Sequence, residues 1–313
     1  LGIPRNFDVN GEKQDGVAYY QLTQRNARRS SAAMAYIAPN IGRKNLDVIT
    51  GAEVKRLVVE GARATGVEMK DGTKIHASSE VVLSSGAVGS PRLLQLSGIG
   101  AASHLETLGI DVVYDQPQVG ENLQDHLDLY CICELSGPYS YDLYAKPARA
   151  AMAGIQYLLT KKGPVASSLF ETGGFWYADP DARSPDLQFH LGLGTGIEHG
   201  VVAMPQGGIT LNSCYLRPGS RGSVKIQSDN PADAPLIDPN YLQDPLDRRN
   251  SIAGLKLTQE ILSQGPLKPF IKAERLPGPD LKTDEDYFDF ICEHSKTSHH
   301  CAGTCRMGPD DNA

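Results

Sequence analysis

The stretch SHHCAGTCRMG, residues 298–308, sets four side chains able to do chemistry close together: His299, His300, Cys301 and Cys305. Three chemistries are open to them. A metal centre needs ligands whose spacing lets pairs converge, usually as CxxC or HxxxH. The candidates here, with Cys292 and His294 upstream, come as C-x-H, H-H-C and C-x-x-x-C, and adjacent side chains diverge on an ordinary backbone. A thiol couple wants CxxC in a βαβ context, and Cys301 and Cys305 are too far apart for that. A histidine base asks least: one imidazole, which as a group titrates near neutral pH, on a well-ordered path. Gly303 and Gly308 imply a tight path after His300, and Thr304 and Arg306 can order it. Spacing alone leaves a base and an ordinary structural histidine both open.

Whatever positions these groups is a globular chain. At 313 residues it has room for about two packed units or one large two-layer unit, each with its own core. The formal charge of −7 offers no attraction to phosphate backbones, so nucleic acid is not an expected partner. Six cysteines are too sparse for a disulfide framework in a chain of this length, which makes a reducing compartment the default. No apolar run approaches the roughly 20 residues of a membrane helix. The opening LGIPRNFDVNGEKQDG begins with Leu1 and has neither a charged nor an apolar leader region, so the chain reads as the middle of something longer.

Along the chain, QLTQRNARRSSAAMAYIAP (21–39) predicts a short helix capped by Ser30 or Ser31 and closed by Pro39. Residues 45–87 predict a meander. Its β-branched segments lie at Val48–Ile49, Val54 to Val59, Val67 to Met69, Ile75 and Val81–Leu83, with turns at EGAR (60–63) and KDGT (70–73). The last segment reads as a buried strand. It runs through Ser84-Ser85-Gly86-Ala87 into a helix with Leu93, Leu94 and Leu96, a form used where backbone approaches a cofactor. GIGAAS (98–103) imitates a phosphate loop, but its third glycine is Ser103 and it follows a helical pattern; GLGTG (192–196) is no better. Beyond residue 127, strands are expected at 186–193, 208–216 and 222–228 and a helix at 247–264, which predicts an antiparallel sheet with helices on one side.

Three segments in order resemble the glucose-methanol-choline (GMC) family of flavin oxidoreductases: GAVGSPRLLQLSGIG (86–100), VGENLQDH (119–126) and HHCAGTCRMG (299–308). The likeness extends to RNARRSSAAMAY, PDLQFH (185–190) and PLIDPNYL (235–242), and is closest to the bacterial choline- and aliphatic-alcohol-dehydrogenase-like branch. It departs in Cys301, where the family has proline after the histidine. The N-terminal GxGxxG turn, the ribose-binding acid, the flavin-facing loop and the C-terminal Asn or His that partners the catalytic histidine have no counterpart between Leu1 and Ala313.

The resemblance implies α/β plus α+β architecture. Residues 1–126 would form a partial FAD-binding domain and 127–290 a substrate domain built on an antiparallel sheet; 291–313 would return to the FAD-binding domain. It implies oxidation of a primary alcohol, choline-like, aliphatic or aromatic, with hydride passing to flavin N5 and the proton to His300; His299 is assigned to structure. FAD would be approached by the backbone of Val54, aligned with the adenine-binding position, and by Gly86 and Ala87. Glu171 aligns with a glutamate that faces the trimethylammonium group in choline-oxidising relatives, with Phe170 and Trp176 expected to flank it as cation–π partners. The implied partners are the alcohol, an electron acceptor (oxygen or a quinone-like carrier) and a complementing polypeptide supplying the missing FAD-binding segments. The expected setting is the cytoplasm or the periphery of the inner membrane. Two alternatives are a lyase of the hydroxynitrile type on the same fold, and an inactive or binding-only piece.

Overall fold

The computed structural model describes residues 1–195, 204 and 206–309. In chain order, β1 (Gly16–Tyr19) precedes a short hairpin, β2 (Gln24–Arg25) and β3 (Arg28–Arg29). Asn26 and Ala27, at φ 53° and 56°, make the left-handed turn that a two-residue hairpin requires. Next come β4 (Val54–Glu60), β5 (Arg63–Met69), β6 (Lys74–His76), α1 (Gly86–Leu96), β7 (Ile99–Gly100), α2 (Ala102–Thr107) and β8 (Tyr114–Asp115). After β9 (Leu127–Leu135) and α3 (Pro147–Thr160) lie β10 (Phe170–Trp176), β11 (Leu187–Gly192) and β12 (Gly208–Tyr215). The chain continues with β13 (Ser223–Lys225), β14 (Leu236–Asp238), α4 (Pro245–Leu262), β15 (Ile271–Leu276), α5 (Asp284–His294) and β16 (Lys296–Thr297). Among the described residues no helix is long and apolar enough to cross a membrane.

The chain folds into two compact units. One holds residues 1–46, 127–217 and 246–298; the other holds 47–126, 218–245 and 299–313. The expected division at 126 and 290 places three segments differently: residues 1–46 and 291–298 pack with the sheet unit, and 218–245 pack with the unit containing the meander.

The first unit is a seven-stranded antiparallel sheet in the order β1-β10-β11-β12-β9-β15, with β16 on the same edge of β9 as β15. The segments at 186–193 and 208–216 fold as strands, as expected. Every residue of β12 is buried, so this strand forms the floor of the core. Helix α4 realises the predicted 247–264 helix. At Gly254 an added Cβ would stand 3.0 Å from Leu187 and 3.3 Å from Ser213 Oγ, so a glycine lets the helix backbone settle on β11 and β12. Helix α5 starts at a capping box in which Thr283 and Asp286 bond each other's backbone. Burial pushes the Cys133 thiol of β9 up to about 12, and that of Cys131 up as well, so both behave as apolar side chains.

The 21–39 region departs in detail. Ser31 Oγ accepts the Met34 N–H at 3.3 Å, and Pro39 sits inside the final turn (Ala38–Asn40) instead of after it.

The second unit contains the meander β4-β5-β6, paired antiparallel as expected. Two expectations fail there. Val48–Ile49 forms no strand, and both side chains are exposed. Residues 80–85 are not a buried strand either: they carry no strand pairing and Val82 is 75% exposed. A strand exists only against a hydrogen-bonded neighbour, and no edge among the described residues is offered to this one. The helix after it forms as read, starting at Gly86. The 222–228 segment does give β13, but its partner is β14 in a separate ribbon of this second unit. GIGAAS is no phosphate loop. A Cβ at Gly98 (φ +80°) would lie 2.4 Å from Asp111 O, and Asp115 Oδ1 already accepts the Ala102 N–H at the start of α2. GLGTG runs beyond the described residues at Gly196; within them, Asp142 accepts the Thr195 N–H, again a carboxylate where a phosphate would have to sit.

Candidate active site

In the second unit, two segments distant in sequence lie side by side. Gln124 and Ala302 exchange both backbone hydrogen bonds at 2.9 Å, and Gly120 N–H donates to Thr304 O at 2.9 Å. Between these bonds the chain turns sharply. Gly303 has φ +93°, and a Cβ there would stand 2.4 Å from Asn122 O, so both its dihedral and its space demand glycine. Asn122, itself at φ 60°, donates from Nδ2 to Gly303 O and accepts from Arg221 Nε, each at 3.1 Å. Thr304 is buried, and its hydroxyl donates to Ala87 O at 2.6 Å, which ties the histidine segment to the first turn of α1.

This frame fixes His300. Its backbone N–H donates to Oδ1 of Asp125 at 2.8 Å, while Oδ2 of the same buried carboxylate accepts the Tyr241 hydroxyl. Its ring is exposed, and its Nδ1 lies 3.0 Å from Nδ1 of His126, with the two ring planes at 89°. The backbone of His300 is therefore anchored while its imidazole faces outward. His299 sits at φ +58° and is exposed, a turn residue by conformation. Burial, followed by the Asp125 carboxylate, raises the Cys301 thiol above its ordinary value, and burial raises Cys305. Both shifts disfavour the thiolate, the reactive form of a cysteine. Among the described residues no three His, Cys, Asp or Glu side chains converge on one point.

Gly86 opens α1 at φ +77°, and a Cβ there would meet nothing within 4 Å. The glycine is needed for its dihedral, and open space lies beside it. Val54, at the start of β4, lines a cleft of about 310 Å³ with Glu53, Ser85, Gly89, Arg92 and Leu93. The structure thus brings Val54 to the same helix start as Gly86 and Ala87.

Glu171 and Phe170 belong to the sheet unit. Between Phe170 and Thr172 the β10–β11 register slips, so Glu171 is the extra residue of a bulge, a device that re-aims one side chain. Its Oε1 accepts the Tyr141 hydroxyl at 2.9 Å, and its backbone O accepts the Tyr20 N–H at 2.9 Å. Burial raises the Tyr141 phenol above its ordinary value, and the neighbouring Glu171 adds to that rise. Phe170 meets the His190 ring at 6.1 Å. The expected pairing with Trp176 does not occur. Trp176 stands at the far end of β10, roughly 17 Å along the strand at its usual rise. There it lines a different apolar cavity of about 350 Å³ with Val17, Phe189, Leu211 and Leu262. The aromatic neighbour of Glu171 is Tyr141, with Tyr144 6.3 Å beyond it.

Sequence reading missed Asp125, His126 and Tyr141. The first two lie in the quoted VGENLQDH, and an Asp-His pair closing an otherwise unassigned motif is the signal that could have marked them. Tyr141, thirty residues from Glu171 in sequence, carries no such signal.

Two family models, both described as GMC oxidoreductase, match residues 1–128 and 218–313. An alcohol dehydrogenase (acceptor) of Pseudomonas putida is 40% identical over 98% of this chain and 57% of its own length. The mitochondrial choline dehydrogenase of Homo sapiens is 39% identical over 99% of this chain and 53% of its own. The chain therefore spans little more than half the length of these relatives. Among solved structures, the pyridoxine 4-oxidase of Mesorbium loti superposes with a TM-score of 0.86 at 31% identity, over 100% of this chain and 58% of that one. A formate oxidase of Aspergillus oryzae, studied for modification of its FAD, gives 0.88 at 24% identity, over 99% of this chain and 59% of that one; this is a likeness of fold.

Proposed function

The chain belongs to the GMC oxidoreductase family, and from that premise we propose that the protein is an FAD-dependent oxidoreductase that oxidises the CH–OH group of a primary alcohol, with His300 accepting the hydroxyl proton. The observation that carries the reading is the mounting of His300. A buried carboxylate holds its backbone while its ring stays accessible, which is what a base that must meet a diffusing substrate requires. The neutral ring takes the hydroxyl proton at a nitrogen lone pair and returns it to solvent after product leaves.

FAD, when bound, supplies the hydride acceptor at its flavin ring. Val54 by its backbone and Gly86 with Ala87 at the open start of α1 are the residues that would hold it. The cleft that Val54 lines with Ser85 and Gly89, which flank Gly86 and Ala87 in sequence, and the open space beside Gly86 support this assignment. Thr304, bonded to Ala87 O, would couple the base to that same helix turn.

For the alcohol, Glu171 is the residue that separates choline-like from uncharged substrates. Its bulged position and its Tyr141 partner support a role in binding, with Phe170 beside it. The electron acceptor is oxygen or a quinone-like carrier, which turnover with and without oxygen distinguishes. The function is tested by mixing the flavin-loaded protein anaerobically with primary alcohols. Bleaching of the visible flavin band supports it, and a band that no choline-like, aliphatic or aromatic alcohol bleaches rejects it.

A further inference from the structure

We infer that His126 is a positioning residue for this reaction: its ring holds His300 in the tautomer that carries the proton on Nδ1 and leaves Nε2 as the base. The inference rests on the reading of His300 as the proton acceptor and adds to it the atom and the partner.

The two Nδ1 atoms are 3.0 Å apart. Two lone pairs at that distance repel, as do two N–H groups, so the contact holds only when one nitrogen donates and the other accepts. A neutral imidazole carries a single proton. If His300 donates, its Nε2 presents a lone pair and His126 keeps its own proton on Nε2. In the reverse arrangement His300 carries its proton on Nε2 and has nothing with which to take a hydroxyl proton. The contact therefore separates a competent ring from an incompetent one, the task that an orienting group performs for the base in acyl-transfer triads.

The backbone favours a lasting contact. Gln124 and Ala302 are locked by two reciprocal bonds, and Asp125, the next residue, holds the His300 N–H. His126, one residue further, meets the ring of that same histidine. Backbone and side chain of His300 thus meet adjacent residues of one segment, and His126 is half-buried.

The proton count closes without a co-reactant. The hydroxyl proton bonds to Nε2 of His300, whose Nδ1–H stays in its bond to His126. The ring becomes an imidazolium and the bond becomes charge-assisted, which strengthens it. His126 itself gains and loses no proton.

Asn and Leu have the same branched shape, but only Asn places an acceptor near the position of the lost Nδ1. The test compares His126→Asn with His126→Leu in the full-length, flavin-loaded protein, with histidine nitrogens labelled for NMR. We expect His126→Leu to mix or reverse the His300 tautomer and to slow flavin reduction about ten- to a hundredfold, with KM little changed. His126→Asn should restore the Nδ1–H tautomer and most of the rate. If His126→Leu leaves both tautomer and rate as in the parent, or if Asn performs no better than Leu, the inference is overturned. Should the Leu variant fail to fold, the tautomer in the Asn variant and in the parent decides alone: a His300 protonated on Nε2 in either overturns it. A His300→Ala control separates the two readings. An unchanged rate in that variant would reject His300 as the base, whereas a lost rate there beside an unchanged tautomer and rate in His126→Leu would overturn the role of His126 alone.

Discussion

Asp125 and His300 are joined through the backbone: the carboxylate accepts the histidine N–H at 2.8 Å, and its second oxygen takes the Tyr241 hydroxyl. The backbone of the proposed base is thus held by a buried acid on another segment as well as by the turn at Gly303 and Thr304. Asp125→Ala should lower turnover about a hundredfold, the scale of a misplacement of about 1 Å, with flavin retained. Asp125→Asn, which keeps one acceptor oxygen, should lose much less. Steady-state kinetics beside the visible spectrum check this, and equal losses in the two variants would argue against a positional role.

His300→Ala is expected to reduce turnover by about two to four decades while flavin remains bound. His299→Ala should do far less, since that residue serves a turn at φ +58°. A larger loss at His299 would show that the two roles have been exchanged.

Glu171→Gln should raise KM for a quaternary amino alcohol by about tenfold or more, equivalent to about 1.4 kcal/mol of lost attraction, and leave a neutral alcohol of similar size nearly unaffected. Tyr141→Phe removes the hydrogen bond that orients the carboxylate and should shift the same ratio in the same direction, by less. Parallel changes for both substrates would rule out a charge-reading role.

The 313 residues expressed alone should not retain FAD through gel filtration. Dinucleotide binding in such folds relies on a glycine-rich turn feeding a helix N-terminus. Among the described residues the two imitations of that turn are closed by Asp115 and Asp142. Stoichiometric flavin on a monomer of this chain would overturn the expectation.

The parts of the fold legible in sequence are those whose partners lie nearby. The meander β4-β5-β6 and helix α4 follow from local periodicity and turn residues. Residues 80–85 show the opposite case: Val81, Val82 and Leu83 have every local mark of a strand, yet pairing is a non-local property that composition cannot report. The site divides along the same line. The turn after His300 is legible because Gly303 and Thr304 mark it, whereas Asp125 and His126 are brought to it by a bridge between Gln124 and Ala302 that no spacing reveals. Trp176 misleads because it is close to Glu171 in number but well down the same strand.

The interleaving of the two units has a consequence for biosynthesis. The segment Gly120 to His126 leaves the ribosome long before residues 299–309, which supply its backbone partners at Ala302 and Thr304 and the ring that meets His126. Domains close as their chain emerges, the N-terminal parts first. This unit is barred from that order, because its last seam can form only when nearly all of the 313 residues have been translated. A nascent chain arrested before His299 would hold the Asp125 carboxylate without the His300 N–H it binds in the finished fold. The residue proposed as the base is thus also among the last to reach this seam.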